Sequence, residues 1–428
     1  MNRIYLLIIA LLFTCKTFAQ AAEPGNYKIA SNQFKELYNN NKIDDIFSHF
    51  SAEMKTALPI EKFKATTTQL KSQLGNLLYA DFVSYNEPLA IYKARFQNGT
   101  FLLNLSLDNQ DKFIGLVLSP YQDPAARVAI IDPNITETPV SVKILSGSIS
   151  GTLAMPKNVT GKIPVVIIIP GSGPVNRDGN SEKTNLATNT YKLIAEGLGK
   201  NGIASLRYDK RGVGESVTTE KEENTHFDDN IDDAYSLINL LNDDKRFSKI
   251  ILAGHSEGSL VGILAGTNEN VKGVISIAGA GVPAEEILME QMKSQPDYIS
   301  KGVRKMLDSL RRGKIDKNVD PALYSIGRPS IQPYLMSWCR FDPAKEIKQV
   351  KVPILILHGS TDLQVNVSNA EKLRKSKNTT VTLISGMNHV LKEAPIDREK
   401  NLATYKQPDL PLKPELITSM VDFINTLK

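Results

Sequence analysis

The sequence is short of covalent staples: it has two cysteines, Cys15 and Cys339, in 428 residues. It also has one tryptophan and only five histidines. There is little excess charge of either sign, with a net +5. The densest basic cluster, Lys301, Arg304, Lys305, Arg311, Arg312 and Lys314, sits on a helix-like segment broken by Asp308. It reads as a solvated helix face, so no nucleic-acid partner is expected. No apolar run approaches the roughly 20 residues of a membrane-spanning helix, so no transmembrane segment is expected. What remains is 41% hydrophobic and 23% charged, ordinary for a globular chain long enough for two domains.

The first residues read as a leader. Arg3 supplies a positive start, Ile4 to Phe13 is an apolar stretch too short to span, and Thr17 and Ala19 are small residues at the positions that define cleavage. The expectation is a signal peptide cut after Ala19 and an exported protein, periplasmic or secreted. Lipid attachment at Cys15 is the weaker alternative, because Phe13 and Thr14 are not the small residues that such a site favours. Loss of Cys15 would leave Cys339 without an intramolecular partner, which suits a protein whose core needs no staple.

The chain is organised around Lys249-Ile250-Ile251-Leu252-Ala253-Gly254-His255-Ser256-Glu257-Gly258-Ser259-Leu260. Ile250 to Ala253 reads as a buried strand, and Leu260 to Ala265 continues at helical spacing. Gly-x-Ser-x-Gly on a strand-to-helix turn presents a serine hydroxyl at the end of a sheet. The glycines let strand and helix approach closely, and the helix aims its free N–H groups at the place where an oxyanion would form. The five-residue match is weak alone; its context makes Ser256 a candidate nucleophile.

A serine needs a base, and the base needs an orienting acid. His49 lies in a different part of the chain, and His226 precedes the nucleophile. His255 is adjacent to Ser256 and cannot reach it, and His358 enters a tight turn at Gly359. His389 follows the last strand, in Ser385-Gly386-Met387-Asn388-His389. Asp362, just beyond the buried strand Val352 to Leu357, is the candidate acid. Asp342 is a rival, but Pro343 follows it. The order Ser, Asp, His is the one expected on such a sheet.

The fold class expected is α/β, a mostly parallel sheet with helices on both faces, preceded by a small α+β domain. Residues 20–122 would form the small domain, with helices from Asn32 to about Leu78 and then an antiparallel meander turning at Asn98-Gly99. A linker over 123–136 would lead to a catalytic domain over 137–428. There, unbroken apolar strands such as Ile163 to Ile169 alternate with helices. The loop Pro170-Gly171-Ser172-Gly173-Pro174 is where one oxyanion N–H is expected. It lacks the lysine and hydroxyl pair that would close a phosphate loop. About 283–347 the alternation stops, and a helix-rich insert is expected to cap the site. Its Met336, Trp338 and Phe341 are candidate linings of a substrate pocket.

Residues 137–428 resemble the α/β-hydrolases. The likeness rests on Gly171-Ser172-Gly173-Pro174-x-x-Arg177-Asp178-Gly179, Tyr208-Asp209-x-Arg211-Gly212-x-Gly214-x-Ser216, Gly254-His255-Ser256-Glu257-Gly258, Asp362 and His389. The leading unit resembles the NTF2-like domains of the DUF3887 type. The whole is similar to exported bacterial carboxylesterases related to the serine aminopeptidase-like hydrolases. That resemblance implies ester hydrolysis of a small-molecule substrate through an acyl-enzyme on Ser256, with no metal or organic cofactor. It implies the Glu257 N–H as the second oxyanion donor. The first stays open between Ser172 and Gly173, since Pro170 stands where many relatives have histidine. A rival activity with the same triad is cleavage of an amide or peptide at a chain end, for which Glu257 and Asp178 are candidate holders of a free amino group.

Overall fold

The computed structural model describes residues 23–121, 132–295, 297–320, 323–374 and 376–428. The leader, Cys15, the cleavage position after Ala19 and most of the expected linker lie outside the described residues. The chain divides into two compact units, Met1–Val128 and Ala129–Lys428.

The first unit runs α1 (Gly25–Asn39), α2 (Ile43–Ser48), α3 (Ala52–Ala57), α4 (Ile60–Leu74), then β1 (Leu77–Asn86), β2 (Leu89–Phe96), β3 (Gly99–Leu107) and β4 (Phe113–Pro120). The four strands form an antiparallel meander in chain order. On β2 the residues Ala90, Tyr92, Ala94 and Phe96 are buried and their neighbours are not, the period-two signature of a sheet with one covered face. They meet Tyr27, Phe34 and Tyr38 from α1 in one core.

The second unit opens with the hairpin β5 (Ile135–Ile144) and β6 (Gly147–Pro156), so the sheet begins inside the stretch expected as linker. There follow β7 (Ile163–Ile169), α5 (Thr190–Lys200), β8 (Ala204–Tyr208), β9 (Val217–Thr218), α6 (Asp228–Asn242), β10 (Phe247–His255), α7 (Glu257–Ala265) and β11 (Val271–Ile277). The insert supplies α8 (Ala284–Gln291), α9 (Asp297–Arg311), α10 (Tyr324–Gly327), α11 (Gln332–Trp338) and α12 (Pro343–Glu346). The chain closes with β12 (Ile354–Gly359), α13 (Ser368–Leu373), β13 (Thr379–Ile384), α14 (Arg398–Ala403) and α15 (Pro414–Thr426).

The sheet order is β13-β12-β11-β10-β7-β8-β6-β5, with β9 on β6. From β13 to β8 all neighbours are parallel, and the β5–β6 hairpin is antiparallel. Alternate residues of β7 feed opposite cores. Val165, Ile167 and Ile169 join Leu237, Ile238 and Val261 from α6 and α7. Val166 and Ile168 join Ile194 and Leu198 of α5 and Met420 and Ile424 of α15. A strand covered on both sides needs apolar residues at every position, hence the unbroken run. The insert has a core of its own, with Met292, Val303, Met306, Leu307, Leu310 and Leu335.

The connectivity brings two loops together at one end of the sheet. From β7 the chain winds outward to β8, then returns to the other side of β7 as β10. The loop after Ile169 and the turn after His255 therefore leave the same end of adjacent strands, where Gly254 is paired with Ile169. Such a reversal leaves a crevice at the carboxyl end of the sheet.

Candidate active site

Ser256 stands between β10 and α7 with φ 55° and ψ −119°, a strained conformation for a residue with a Cβ. The surrounding glycines are required by contact. A Cβ on Gly254 would lie 2.0 Å from the Gly258 carbonyl oxygen, and one on Gly258 would lie 2.4 Å from that of Ile169. Gly171 brings the loop after β7 against the serine, since its Cβ would be 3.3 Å from that of Ser256.

His389 and Asp362 reach the same point from the loops after β13 and β12. His389 Nε2 lies 3.1 Å from Ser256 Oγ, and its Nδ1 lies 2.8 Å from Asp362 Oδ2. An ionised carboxylate only accepts, so Nδ1 carries the proton and Nε2 is free to take the serine's. Burial pushes the Asp362 carboxyl up, but the His389 ring beside it, His358 and the Val365 N–H more than offset this and hold it below its usual range. Its other oxygen accepts from the Gln364 and Val365 N–H groups at 2.8 and 2.9 Å. Buried Asn388 braces the histidine loop by donating to Thr404 Oγ1 at 2.7 Å and accepting the Lys392 N–H at 3.0 Å.

The other histidines have different partners. His358, fully buried, donates Nε2–H to the Val365 carbonyl at 2.8 Å. Burial lowers its pKa. His49 in the first unit pairs with Gln33 at 2.9 Å. Asp342 caps α12 through the Ala344 N–H.

His255 does not touch the serine hydroxyl but bridges two loops. Its Nε2 is 2.8 Å from the His389 carbonyl oxygen, and its Nδ1 is 3.0 Å from Tyr191 Oη. Burial first, then the charge of His389, pushes its pKa down to about 3, so the ring is neutral. A carbonyl can only accept, so the proton is on Nε2 and Nδ1 accepts the tyrosine hydroxyl. Tyr191 oxygen in turn accepts the Gly171 N–H at 2.8 Å.

Opposite this bridge, Lys210 Nζ lies 2.8 Å from Glu257 Oε1 and 3.2 Å from the Gly171 carbonyl oxygen. Tyr334 of α11 accepts from Asn230 Nδ2 at 2.8 Å, and burial first, then the nearby Glu257 charge, pushes its pKa well up. Asp178 accepts from Arg207 Nε at 2.9 Å. Arg177 grips Asp209 from Nε at 3.0 Å and Nη2 at 2.6 Å, which cross-braces the two loops, and Arg211 ties the second of them to α6 by gripping Asp233 at 2.9 to 3.0 Å. The Glu257 N–H, first in α7, has no acceptor within its helix. The Ser172 N–H meets no backbone acceptor among the described residues.

The three insert residues nominated for a pocket divide. Trp338 stacks on Phe227 with centroids 5.9 Å apart and planes 6° apart, and Phe341 lies 5.5 Å from the same ring. Met336 packs on the insert's own core. Sequence reasoning missed Tyr191, Lys210 and Tyr334; the only available signal was the place of Lys210 within the quoted Asp209–Ser216 loop.

Residues 185–393 match the family model described as serine aminopeptidase, S33, of the Hydrolase_4 type. With the sheet order and the site at its carboxyl end, that decides the fold. The second unit has the α/β-hydrolase fold. Residues 31–116 of the first unit match the family described as a protein of unknown function, DUF3887. The hydrolase chain is 26% identical over 383 residues to the esterase EstD of Thermotoga maritima, covering 84% of this chain and 86% of that one. Among solved structures it is similar to Est1E from Butyrivibrio proteoclasticus, at 19% identity and TM-score 0.45, covering 67% of this chain and 98% of that one. It is also similar to the esterase domain of a Rhodothermus marinus protein, at 16% identity and TM-score 0.43, covering 68% and 99%. Among the described residues, no helix is long and apolar enough to cross a membrane.

Proposed function

We propose that this α/β-hydrolase cleaves carboxylic esters of short to medium acyl chain through an acyl-enzyme on Ser256. The carrying observation is His389, which lies within hydrogen-bond reach of both Ser256 Oγ, at 3.1 Å, and Asp362, at 2.8 Å. In this reading Ser256 Oγ attacks the ester carbonyl as its proton passes to His389 Nε2. Asp362 holds the ring in that tautomer and stabilises the imidazolium. The carbonyl oxygen, now negative, is held by the Ser172 and Glu257 N–H groups. The imidazolium then gives its proton to the departing alkoxide, and water attacks the acyl-enzyme with His389 again as base. Ser172 is favoured over Gly173 because its amide follows directly on Gly171, which abuts Ser256.

Esters are favoured over amino-terminal peptides by the two acids that could hold an ammonium group. Glu257 is already paired with Lys210 and Asp178 with Arg207. The name of the Thermotoga relative, an esterase alignable over both units, points the same way. Trp338, stacked on Phe227, and Phe341, tilted against the same ring, would shape the acyl side. Trp338→Ala should then shift preference along a p-nitrophenyl ester series. We further infer a small domain over 20–122, a linker, a catalytic domain whose start moves from the expected 137 to Ile135 with β5, a cap at about 283–347, and export with cleavage after Ala19; a mature chain starting at Gln20 in the exported fraction tests the last.

The deciding experiment is fluorophosphonate labelling and ester turnover of wild type and Ser256→Ala. The variant should fold, lose labelling, and fall in kcat by about 10^4 or more. Retention of more than about a tenth of the activity would reject the assignment.

A further inference from the structure

Lys210 and Glu257 form an ion pair withdrawn from solvent, their side chains 13% and 2% exposed. A buried pair of this kind is weak as a stabilising device, because desolvation of both charges consumes most of the attraction, and an apolar pair of similar volume does as well. Something other than stability should account for placing one here. Its position beside the nucleophile suggests what.

The ammonium has two acceptors: Glu257 Oε1 at 2.8 Å and the Gly171 carbonyl at 3.2 Å. That carbonyl belongs to the peptide group whose N–H is that of Ser172. A trans peptide is planar, with C=O and N–H pointing in opposite directions. Pinning the oxygen therefore aims the N–H. The same ammonium holds the side chain of Glu257, whose backbone N–H opens α7. One charge thus holds the peptide group of the first donor directly and the side chain of the residue that carries the second. On the far side, Tyr191 accepts the Gly171 N–H, so that residue is fixed at both its amide and its carbonyl.

We infer that Lys210 is the positioning residue of the oxyanion hole, setting the direction of the Ser172 N–H through the Gly171 carbonyl while anchored on Glu257. The inference rests on the acyl-enzyme reading above. Lys210 touches no reacting atom in this scheme. Its loss should therefore weaken stabilisation of the oxyanion and leave ground-state binding of the ester nearly unchanged.

The test compares wild type, Lys210→Met and the double variant Lys210→Met/Glu257→Gln. The double variant leaves no unpaired buried charge, so it folds even where the single one does not. For each, kcat and KM are measured on a short p-nitrophenyl ester. The inhibition constant of an alkyl trifluoromethyl ketone, whose hemiketal with Ser256 carries the oxyanion, is measured beside them. The expected result for the double variant is a fall in kcat of about 30- to 100-fold, just below the loss of a whole oxyanion donor. Inhibitor affinity should weaken by a similar factor and KM should change by less than about threefold. A merely structural lysine would lower thermal stability without moving inhibitor affinity and kcat together. A folded double variant with kcat within about threefold of wild type, or with unchanged inhibitor affinity, overturns the inference. Failure of the underlying reading looks different: wild type would not bind the ketone, or Ser256→Ala would remain active.

Discussion

His255 Nε2 donates to the backbone carbonyl of His389 at 2.8 Å, so the residue before Ser256 supports the main chain of the proposed base. Its other nitrogen accepts from Tyr191, and Tyr191 accepts from Gly171. The loop that would receive the oxyanion and the loop that carries the base are thereby tied through one neutral ring. His255→Leu removes both hydrogen bonds and should lower kcat by about 10- to 100-fold with little change in KM, since slight misplacement of a base is costly. His255→Gln keeps a donor and an acceptor and should recover much of the loss. Equal rates in both variants and in wild type would leave the bridge without a role.

Two buried neutral histidines give the stability a pH dependence of definite sign. His255 has its pKa pushed from 6.5 to about 3, and that of buried His358 is also lowered. Below pH 6.5 the unfolded chain takes up protons that the folded chain refuses, so stability falls as pH drops towards 3 and is regained as pH rises. From pH 7 to pH 5 His255 alone should cost about 2 kcal/mol. Asp362, held below its usual range, adds a further loss only when pH falls below about 3.8. Denaturant melts at pH 7, 6 and 5 read this directly. His255→Gln should flatten the pH dependence between 7 and 5, and an unchanged slope would place the proton uptake elsewhere.

Glycines around the nucleophile should separate by contact. A Cβ at Gly258 would stand 2.4 Å from a backbone oxygen, and one at Gly262, a turn further along α7, has nothing nearer than 3.6 Å. Gly258→Ala forces strand and helix apart and should cost about 3 kcal/mol or more. Gly262→Ala should be neutral or stabilise by up to about 1 kcal/mol, through helix propensity and the entropy of the unfolded chain. Matched Tm values for the two variants would contradict the elbow packing described here.

The fold was legible because its signals are local. Unbroken apolar runs marked strands covered on both faces, and the glycines of the elbow marked a turn where strand and helix touch. Ser256, Asp362 and His389 could each be nominated from a strand end and the loop after it. Lys210 and Tyr191 could not. Their contacts join positions 20, 39 and 47 residues apart, and no periodicity records which loop will lie across which. Trp338 shows the converse limit. Its apolar character was plain, but its stacking on Phe227, the residue that N-caps α6, depends on how the insert lies on the sheet domain.

The same ion pairs bear on the choice between ester and amide. An amine must be protonated as it leaves, and an aminopeptidase must also hold a charged amino terminus beside its nucleophile. Glu257 is the acid nearest in sequence to Ser256, but its carboxylate takes a hydrogen bond from Lys210 at 2.8 Å. Asp178 is occupied by Arg207 at 2.9 Å. Recruiting Glu257 would mean breaking a buried pair and stranding Lys210, at a cost of about 3 kcal/mol or more, whereas recruiting Asp178 would mean taking it from Arg207, which keeps Glu137 at 2.7 Å. An ester substrate makes no such demand, because its leaving alkoxide needs only the proton already on His389. We therefore expect kcat/KM for a short p-nitrophenyl ester to exceed that for alanine or proline p-nitroanilide by at least about a hundredfold, roughly 2.7 kcal/mol of transition-state preference. Both substrates are to be run on one preparation with Ser256→Ala as the blank. An anilide cleaved as fast as the ester would require that one of these carboxylates is released on binding, and would make the enzyme an aminopeptidase.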